Sequence, residues 1–298
     1  MQDLRQTKEY AKYMEMLGWQ AVKLNNELRS TNYAYVKKIP LLGNIAKLQR
    51  PSGKLEPRVL DEFARKHKLA VFYIELSHNH LAIQPSSHFQ PAKSSFLPSK
   101  TIHINLLQSN KELLSQMDKD TRYAIRLAQK RGVTVKESSD IDAFIKLWHQ
   151  SARHRGMWFP QGKEIRSLWT AFGKKAHLLF VPNLKQNDSY NQHVLEQTVI
   201  AGVFIVRTST TAYYMYAAST KEGNKLSAPS LLVWEAIKLA KKKGCKIFDF
   251  EGVYDDRYPQ TKSWKGFTKF KEGFGRKIVT YPKTLIKYYC LTAKFLSL

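Results

Sequence analysis

Residues 213–275 read YYMYAASTKEGNKLSAPSLLVWEAIKLAKKKGCKIFDFEGVYDDRYPQTKSWKGFTKFKEGFG. The predicted order is strand, turn, helix, strand, loop, helix. Tyr213 to Ala217 is aromatic and apolar, as a largely buried strand requires. Ser227 suits an N-cap and Pro229 the first helical turn. Leu232, Ala236 and Leu239 recur at helical spacing, which turns an apolar stripe inward. Lys241, Lys242 and Lys243 complement the negative end of the helix dipole, and Gly244 stops the helix. Lys246 to Phe250 then alternates, with Ile247 and Asp249 on one face and Phe248 and Phe250 on the other. A strand feeding a helix N-terminus through a polar turn makes an anion-binding corner, and Lys225 stands just before that helix.

A chain of 298 residues holds one large or two ordinary domains. Hydrophobic content of 43% is that of a folded protein. Against 24 acidic residues stand 49 basic ones, a net charge of +25. Such an excess favours polyanionic partners: nucleic acid, an anionic membrane surface or a phosphorylated substrate. Cys245 and Cys290 have neither metal spacing nor a disulfide framework. MQDLRQTKEYAKYM at the start lacks the apolar core of a secretory signal, and no apolar run is long enough to span a membrane. The expected location is the cytoplasm.

Upstream, residues 3–16 read as an amphipathic helix leading into LGWQAVKL, Leu17 to Leu24. Thr31 to Lys38 is a strand, and the KKIPLLGNIAKLQRPSG segment after it reads as turns at Pro40, Gly43, Pro51 and Gly53. A helix over 55–67 and a strand over 69–76 complete an alternating α/β pattern. The stretch from His88 is a linker ending in a strand. Helices follow from Lys111 to Arg131, then a strand from Val133 to Lys136. Asp140 caps a helix that buries Phe144, Leu147 and Trp148. Strands over 176–181 and 194–208 flank a polar loop, 183–192, expected to be exposed. After a strand over 277–281, Lys283, Lys287 and Lys294 share one helical face. That tail would either dock on the first domain or rest on an anionic membrane.

Strand, polar turn, helix and strand are the architecture of a GNAT-type acyltransferase. The Gly-rich pyrophosphate turn usual there is replaced by Asn224-Lys225-Leu226-Ser227-Ala228, which counts against a coenzyme A donor. YMYAAS, APSLLVWEAIKLAKKKGC, FDFEGV and FTKFKEGFG together resemble the Fem family of peptidoglycan aminoacyltransferases, and DKDTRYAIRLAQKRGV resembles the start of that family's second domain. The resemblance covers nearly the whole chain. It implies an α/β fold of two GNAT-like domains in tandem, 1–110 (completed by 281–298) and 111–280. It implies tRNA-dependent transfer of an amino acid onto the stem peptide of a peptidoglycan precursor, with aminoacyl-tRNA as co-substrate and no cofactor. The reaction would run in the cytoplasm, at the inner face of the membrane if the precursor is lipid-linked. Two features depart from the family: the inserted coiled-coil arm is missing, and no arginine stands near Phe159 and Pro160, where Arg155 and Lys163 are the nearest bases.

By the same resemblance Lys271, in the pair Phe270-Lys271, stabilises charge developing at the tRNA ester, and Phe270 sets the helix position. Spacing alone does not separate Lys271 from Lys265 and Lys269. Lys23 matches a lysine on a substrate phosphate, though a surface strand lysine reads the same way. Tyr216 matches a tyrosine lining the precursor pocket, or is a core tyrosine. Asp249 and Glu251 end a strand where carboxylates orient or deprotonate an amine. Arg122, Arg126, Lys130 and Arg131 fall at helical intervals, as an RNA-backbone face or a solvated basic surface. Two rival readings stay open: an acyl-CoA-dependent N-acyltransferase on the same fold, and a non-catalytic RNA-binding protein.

Overall fold

The computed structural model describes residues 2–25, 31–77, 88–154, 161–183, 198–290 and 293. In chain order the elements are α1 (Lys8–Met16), β1 (Gln20–Asn25), β2 (Thr31–Ile39), β3 (Gly43–Gln49), α2 (Pro57–Lys66), β4 (Leu69–Glu75), β5 (Gln90–Pro91) and β6 (Lys100–Asn105). Then come α3 (Asn110–Gln116), α4 (Lys119–Lys130), β7 (Lys136–Ser138), α5 (Ile141–His154), α6 (Gly162–Phe172), β8 (Ala176–Pro182) and β9 (Val199–Arg207). Last are β10 (Thr211–Ser219), α7 (Lys221–Lys225), α8 (Ala228–Lys242), β11 (Ile247–Asp249), α9 (Lys265–Glu272), β12 (Ile278–Thr280) and β13 (Leu285–Tyr288). Internal contacts divide the chain into two units. The first takes Met1–Thr101, Gly252–Trp264 and Val279–Leu298; the second takes Ile102–Glu251 and Lys265–Ile278.

The first unit holds a sheet in the order β1-β2-β3-β4-β13-β5. Its parallel pair, β3 and β4, needs a crossover, which α2 supplies. Period-two alternation turns Ala34, Val36, Ala46, Leu48, Phe72 and Ile74 toward Leu60, Phe63 and Ala64 of α2. On the opposite face Tyr35 packs edge-on to Tyr10 of α1, centroids 5.8 Å apart. The buried Tyr35 hydroxyl donates to the Arg5 carbonyl at 2.5 Å. Residues 252–264 join this unit through a buried carboxylate. Asp255, fully buried, accepts from Ser99 Oγ at 2.6 Å and from Arg257 Nη2 at 2.7 Å, and Lys100 Nζ lies 3.3 Å away.

The second unit is built on the order β12-β6-β11-β10-β9-β8-β7. β10 and β11 are parallel, joined by the crossover helix α8. Capping fixes the helix starts: a Ser109–Glu112 capping box opens α3, and Asp140 Oδ1 accepts from Ala143 N–H at 2.9 Å to open α5. β8 and β9 are buried almost end to end, so they read as continuous apolar runs.

The structure departs from the sequence reading at several places. The boundary expected near 110 falls at Thr101, because β6 pairs with β11 in the second sheet. Between the turn marks at Gly43 and Pro51, where no strand was read, Gly43–Gln49 form strand β3; its Asn44 and Lys47 interrupt the apolar pattern while Ala46 and Leu48 are buried. α6 and α7 were not foreseen. The strand read at 133–136 begins at Lys136. Within the tail read as a basic helix, Leu285–Tyr288 form strand β13, with Ile286 buried and Lys287 Nζ 2.6 Å from Asp61 Oδ1. Lys294, Arg155, Phe159, Pro160, Val194 and loop residues 184–192 lie outside the described residues.

Candidate active site

β10 and β11 pair only from Thr211 to Tyr213, against Ile247 to Asp249. β10 then runs on to Ser219 while β11 stops, so the two parallel strands part. A register shift between Tyr214 and Tyr216 on the β9 side makes Met215 a bulge residue, which adds local twist at the point of parting. This explains why Tyr214 to Ala217, within a strand expected to be largely buried, are half-buried. Beside the opening lies a cavity of about 200 Å³ lined by Tyr214, Ala217, Ser219, Asn224, Pro229 and Leu232. An opening at the carboxyl ends of parallel strands is where α/β sheets bind ligands.

Lys271 enters this opening from α9. Of the three lysines on α9, Lys265 and Lys269 are exposed, whereas Lys271 is 7% exposed. Its ammonium donates to the Phe250 carbonyl at 2.8 Å and lies 5.5 Å from the Tyr214 ring centroid and 4.9 Å from that of Phe267. Burial pushes its pKa down from 10.5 to about 8, against the opposing pull of Glu251 and Asp249. A cation held among aromatic rings at the end of a short strand is a fixed, poorly hydrated positive charge. Phe270, half-buried, meets Phe274 edge-on, ring centroids 5.3 Å apart.

Asp249 ends β11 and is 3% exposed. Its Oδ1 accepts the Glu251 N–H at 2.7 Å, which closes an Asx turn, and its Oδ2 lies 3.1 Å from His103 Nε2 on β6. The turn throws Glu251 into the left-handed region at φ 56°, a conformation that costs a non-glycine residue roughly 1–2 kcal/mol. His103 was missed by the sequence reading. It stands in an alternating strand, TIHINL, where nothing in the pattern marks it.

The remaining candidates fall elsewhere. Tyr216 is half-buried, its ring edge-on to Trp148 at 6.2 Å and stacked on Phe204 at 6.3 Å. Ser227 occupies the residue before α8, but its φ is +60° and its hydroxyl makes no capping bond, so the corner is not the side-chain cap the sequence suggested. Lys225 ends α7, exposed, and its carbonyl accepts from Arg131 Nη1 at 2.5 Å. Arg122 donates to the carbonyls of Met117 and Ser115, closing the end of α3. Arg126 and Lys130 are exposed on one face of α4, so two of the four bases in that run are committed to backbone and two face solvent. Lys23 is exposed on β1 in the first unit, beside Lys12 and Tyr33. Among the described residues no group of His, Cys, Asp and Glu is placed to hold a metal ion, and no helix is long and apolar enough to cross a membrane. Among them no helix is longer than α8.

A FemAB family model matches residues 90–186 and 182–290. No curated protein sequence matches. The crystal structure of FemX superposes with a TM-score of 0.81 at 17% identity, covering 99% of this chain and 95% of that one. L-PGS from Bacillus licheniformis gives 0.59 at 14% identity, over 95% and 89% of the two chains. A tandem GNAT protein from the clavulanic acid biosynthesis pathway gives 0.51 at 10% identity, over 88% and 81%. The fold is therefore the α/β fold of tandem GNAT-like acyltransferase domains.

Proposed function

The chain belongs to the FemAB family, the transferases of peptidoglycan bridge formation, and on that premise we propose that it moves an amino acid from aminoacyl-tRNA to the stem peptide of a peptidoglycan precursor. The observation that carries this reading is the buried Lys271 ammonium at the parting of β10 and β11. Aminoacyl transfer is attack of an amine on an ester carbonyl. The tetrahedral intermediate carries an oxyanion that needs a preorganised positive group, and such a group is strongest where water is excluded. Lys271 is a compact point charge, already desolvated and fixed by the Phe250 carbonyl. The remainder of the rate comes from holding two substrates together, which needs no covalent intermediate on the protein. Tyr216, its ring packed on Trp148 and Phe204, is assigned to the wall of the precursor pocket. Lys23 and Lys225, both exposed, are assigned to phosphate groups of the substrates, and Arg126 and Lys130 to the tRNA backbone. Aminoacyl-tRNA is the co-substrate, no further cofactor takes part, and the reaction runs where charged tRNA is found, in the cytoplasm. The net charge of +25 suits a tRNA partner and also a precursor presented at an anionic membrane surface.

The test is a transfer reaction with a pool of charged tRNAs and either a lipid-linked or a nucleotide-linked muropeptide, products being read by mass. The acceptor gains the mass of one amino-acid residue, and ribonuclease treatment of the donor abolishes the gain. Consumption of acyl-CoA with no such adduct would establish the acyl-CoA N-acyltransferase instead. Salt-sensitive RNA binding with no product of either kind would leave an RNA-binding protein.

A further inference from the structure

The basic run on α4 carries one side chain that phosphate binding does not explain. Lys119, Tyr123, Arg126 and Lys130 recur at steps of four, three and four residues, which sets them on one face of the helix over about 16 Å. All four are exposed, and Tyr123 keeps 59% of its surface in solvent. Asp120, in the first turn, is the only acidic residue of α4. Ile125 and Ala128 on the opposite face are buried, and α4 packs against α8. The fold thus holds α4 by its inner face and leaves an aromatic ring among cations on the outer one.

Both ends of α4 are fastened to elements that build the opening. At its start the Asp118 N–H donates to the Gly273 carbonyl at 2.9 Å, and Thr121 Oγ1 fills the space where Gly273 would carry a Cβ. Gly273 follows Lys271 by two residues. Arg276 Nη2 adds an ion pair to Asp118 Oδ1 at 2.9 Å. At its end Arg131 reaches the Lys225 carbonyl of α7, next to Asn224 in the cavity wall. The outer row is therefore held in fixed register with Lys271 and the cavity. The phosphates of a duplex call for cations alone, because paired bases already stack on one another. An unpaired base has a free face, which an exposed ring takes by stacking while flanking cations take the phosphates. The donor of the reaction above bears its aminoacyl ester on an unpaired 3′ strand.

We propose that the outer face of α4 binds the unpaired 3′ strand of the donor tRNA, with Tyr123 stacked on a base and Lys119, Arg126 and Lys130 on the phosphates beside it. The assignment rests on the aminoacyl-tRNA reading above and adds which part of the tRNA this face takes.

The test measures binding by wild type, Tyr123→Ala and Tyr123→Phe of three ligands: an intact tRNA, the same tRNA with its unpaired 3′ strand removed, and vesicles of anionic phospholipid. Tyr123→Ala should weaken intact tRNA by about 5–150-fold, the worth of one base–aromatic stack, and should bind the trimmed tRNA as wild type does. Tyr123→Phe keeps the ring and should match wild type on both. The slope of log Kd against log salt should not change in Tyr123→Ala, because a stack releases no counterions. An equal loss on intact and trimmed tRNA, or no loss on either, would overturn the assignment, while wild-type tRNA binding and transfer would leave the broader reading standing. A loss on vesicles alone would make this face a membrane contact and overturn it as well. A clear fall in the melting temperature of Tyr123→Ala would mark the ring as part of the fold, with the same consequence. Wild-type protein that binds no tRNA would sink both the assignment and the reading beneath it.

Discussion

Replacing Lys271 with methionine separates what a buried ammonium costs the fold from what it gives the reaction. The unfolded lysine titrates near 10.5 and the folded one near 8, because burial disfavours the charge. Below pH 8 both states are protonated and the folded state carries the whole penalty, about 3 kcal/mol at roughly 1.4 kcal/mol per decade. Between pH 8 and 10.5 the unfolded chain binds the proton and the folded protein does not, so stability rises with pH through that window. Methionine has no such proton. The stability of wild type minus that of Lys271→Met should therefore rise by roughly 2–3 kcal/mol between pH 7 and pH 10. Urea unfolding of both proteins at the two pH values measures it, and taking the difference cancels the other titrating groups. A difference that stays flat would refute the reasoning, since it would mean an ammonium in contact with water. The same variant should lose about 10²–10³-fold in transfer rate, the usual cost of one oxyanion-stabilising group. The wild-type rate should fall on the alkaline side with an apparent value near 8, as Lys271 loses its charge.

Other predictions concern groups whose roles the contacts define. Asp255→Asn leaves Arg257 and Lys100 without the buried carboxylate they face and should cost about 3 kcal/mol in urea unfolding. Burial pushes the Asp255 carboxyl up, but hydrogen bonds from Arg257 and Ser99 and the Arg257 charge outweigh it and hold the group well below the usual range, so wild-type stability from this group is present above about pH 4 and is lost on further acidification, and the variant should lack that loss. Tyr216→Phe keeps the ring between Trp148 and Phe204, so it should leave the melting temperature unchanged while raising the KM for the muropeptide; Tyr216→Ala should cost about 3 kcal/mol as well. Arg126→Ala and Lys130→Ala should each reduce the salt dependence of tRNA binding by about one counterion, measured as the slope of log Kd against log salt.

How much of this was legible in the sequence depends on the range of the forces involved. The segment from β10 to α9 was readable because local signals agree: an apolar run, Pro229 entering α8, and Gly244 leaving it at φ +82°. The tail was not, because Lys283, Lys287 and Lys294 share a helical spacing while Leu285 to Tyr288 find a place between β4 and β5. Pairing with strands some two hundred residues distant overrides local periodicity. Lys271 was chosen over Lys265 and Lys269 only through the family resemblance; the physical reason, burial under Phe267 and against Tyr214, exists only once β10 and β11 part. Glu251 was readable as a strand-end carboxylate, but its left-handed backbone was not. His103 had no signal, since its meaning comes from the β6–β11 register that sets it opposite Asp249. For the basic run on α4, the sequence supplied the face and the structure showed Arg122 and Arg131 already bonded to backbone carbonyls.

The account's central claim is that the Lys271 ammonium stabilises the oxyanion of aminoacyl transfer. The most direct test is single-turnover transfer from charged tRNA to a muropeptide by wild type, Lys271→Met and the exposed-lysine control Lys269→Ala, with both substrates saturating. The account predicts a one-residue mass gain on the acceptor with wild type and Lys269→Ala at similar rates, and a loss of at least about a hundredfold with Lys271→Met while tRNA and muropeptide still bind. Lys271→Met turning over at the wild-type rate would contradict it.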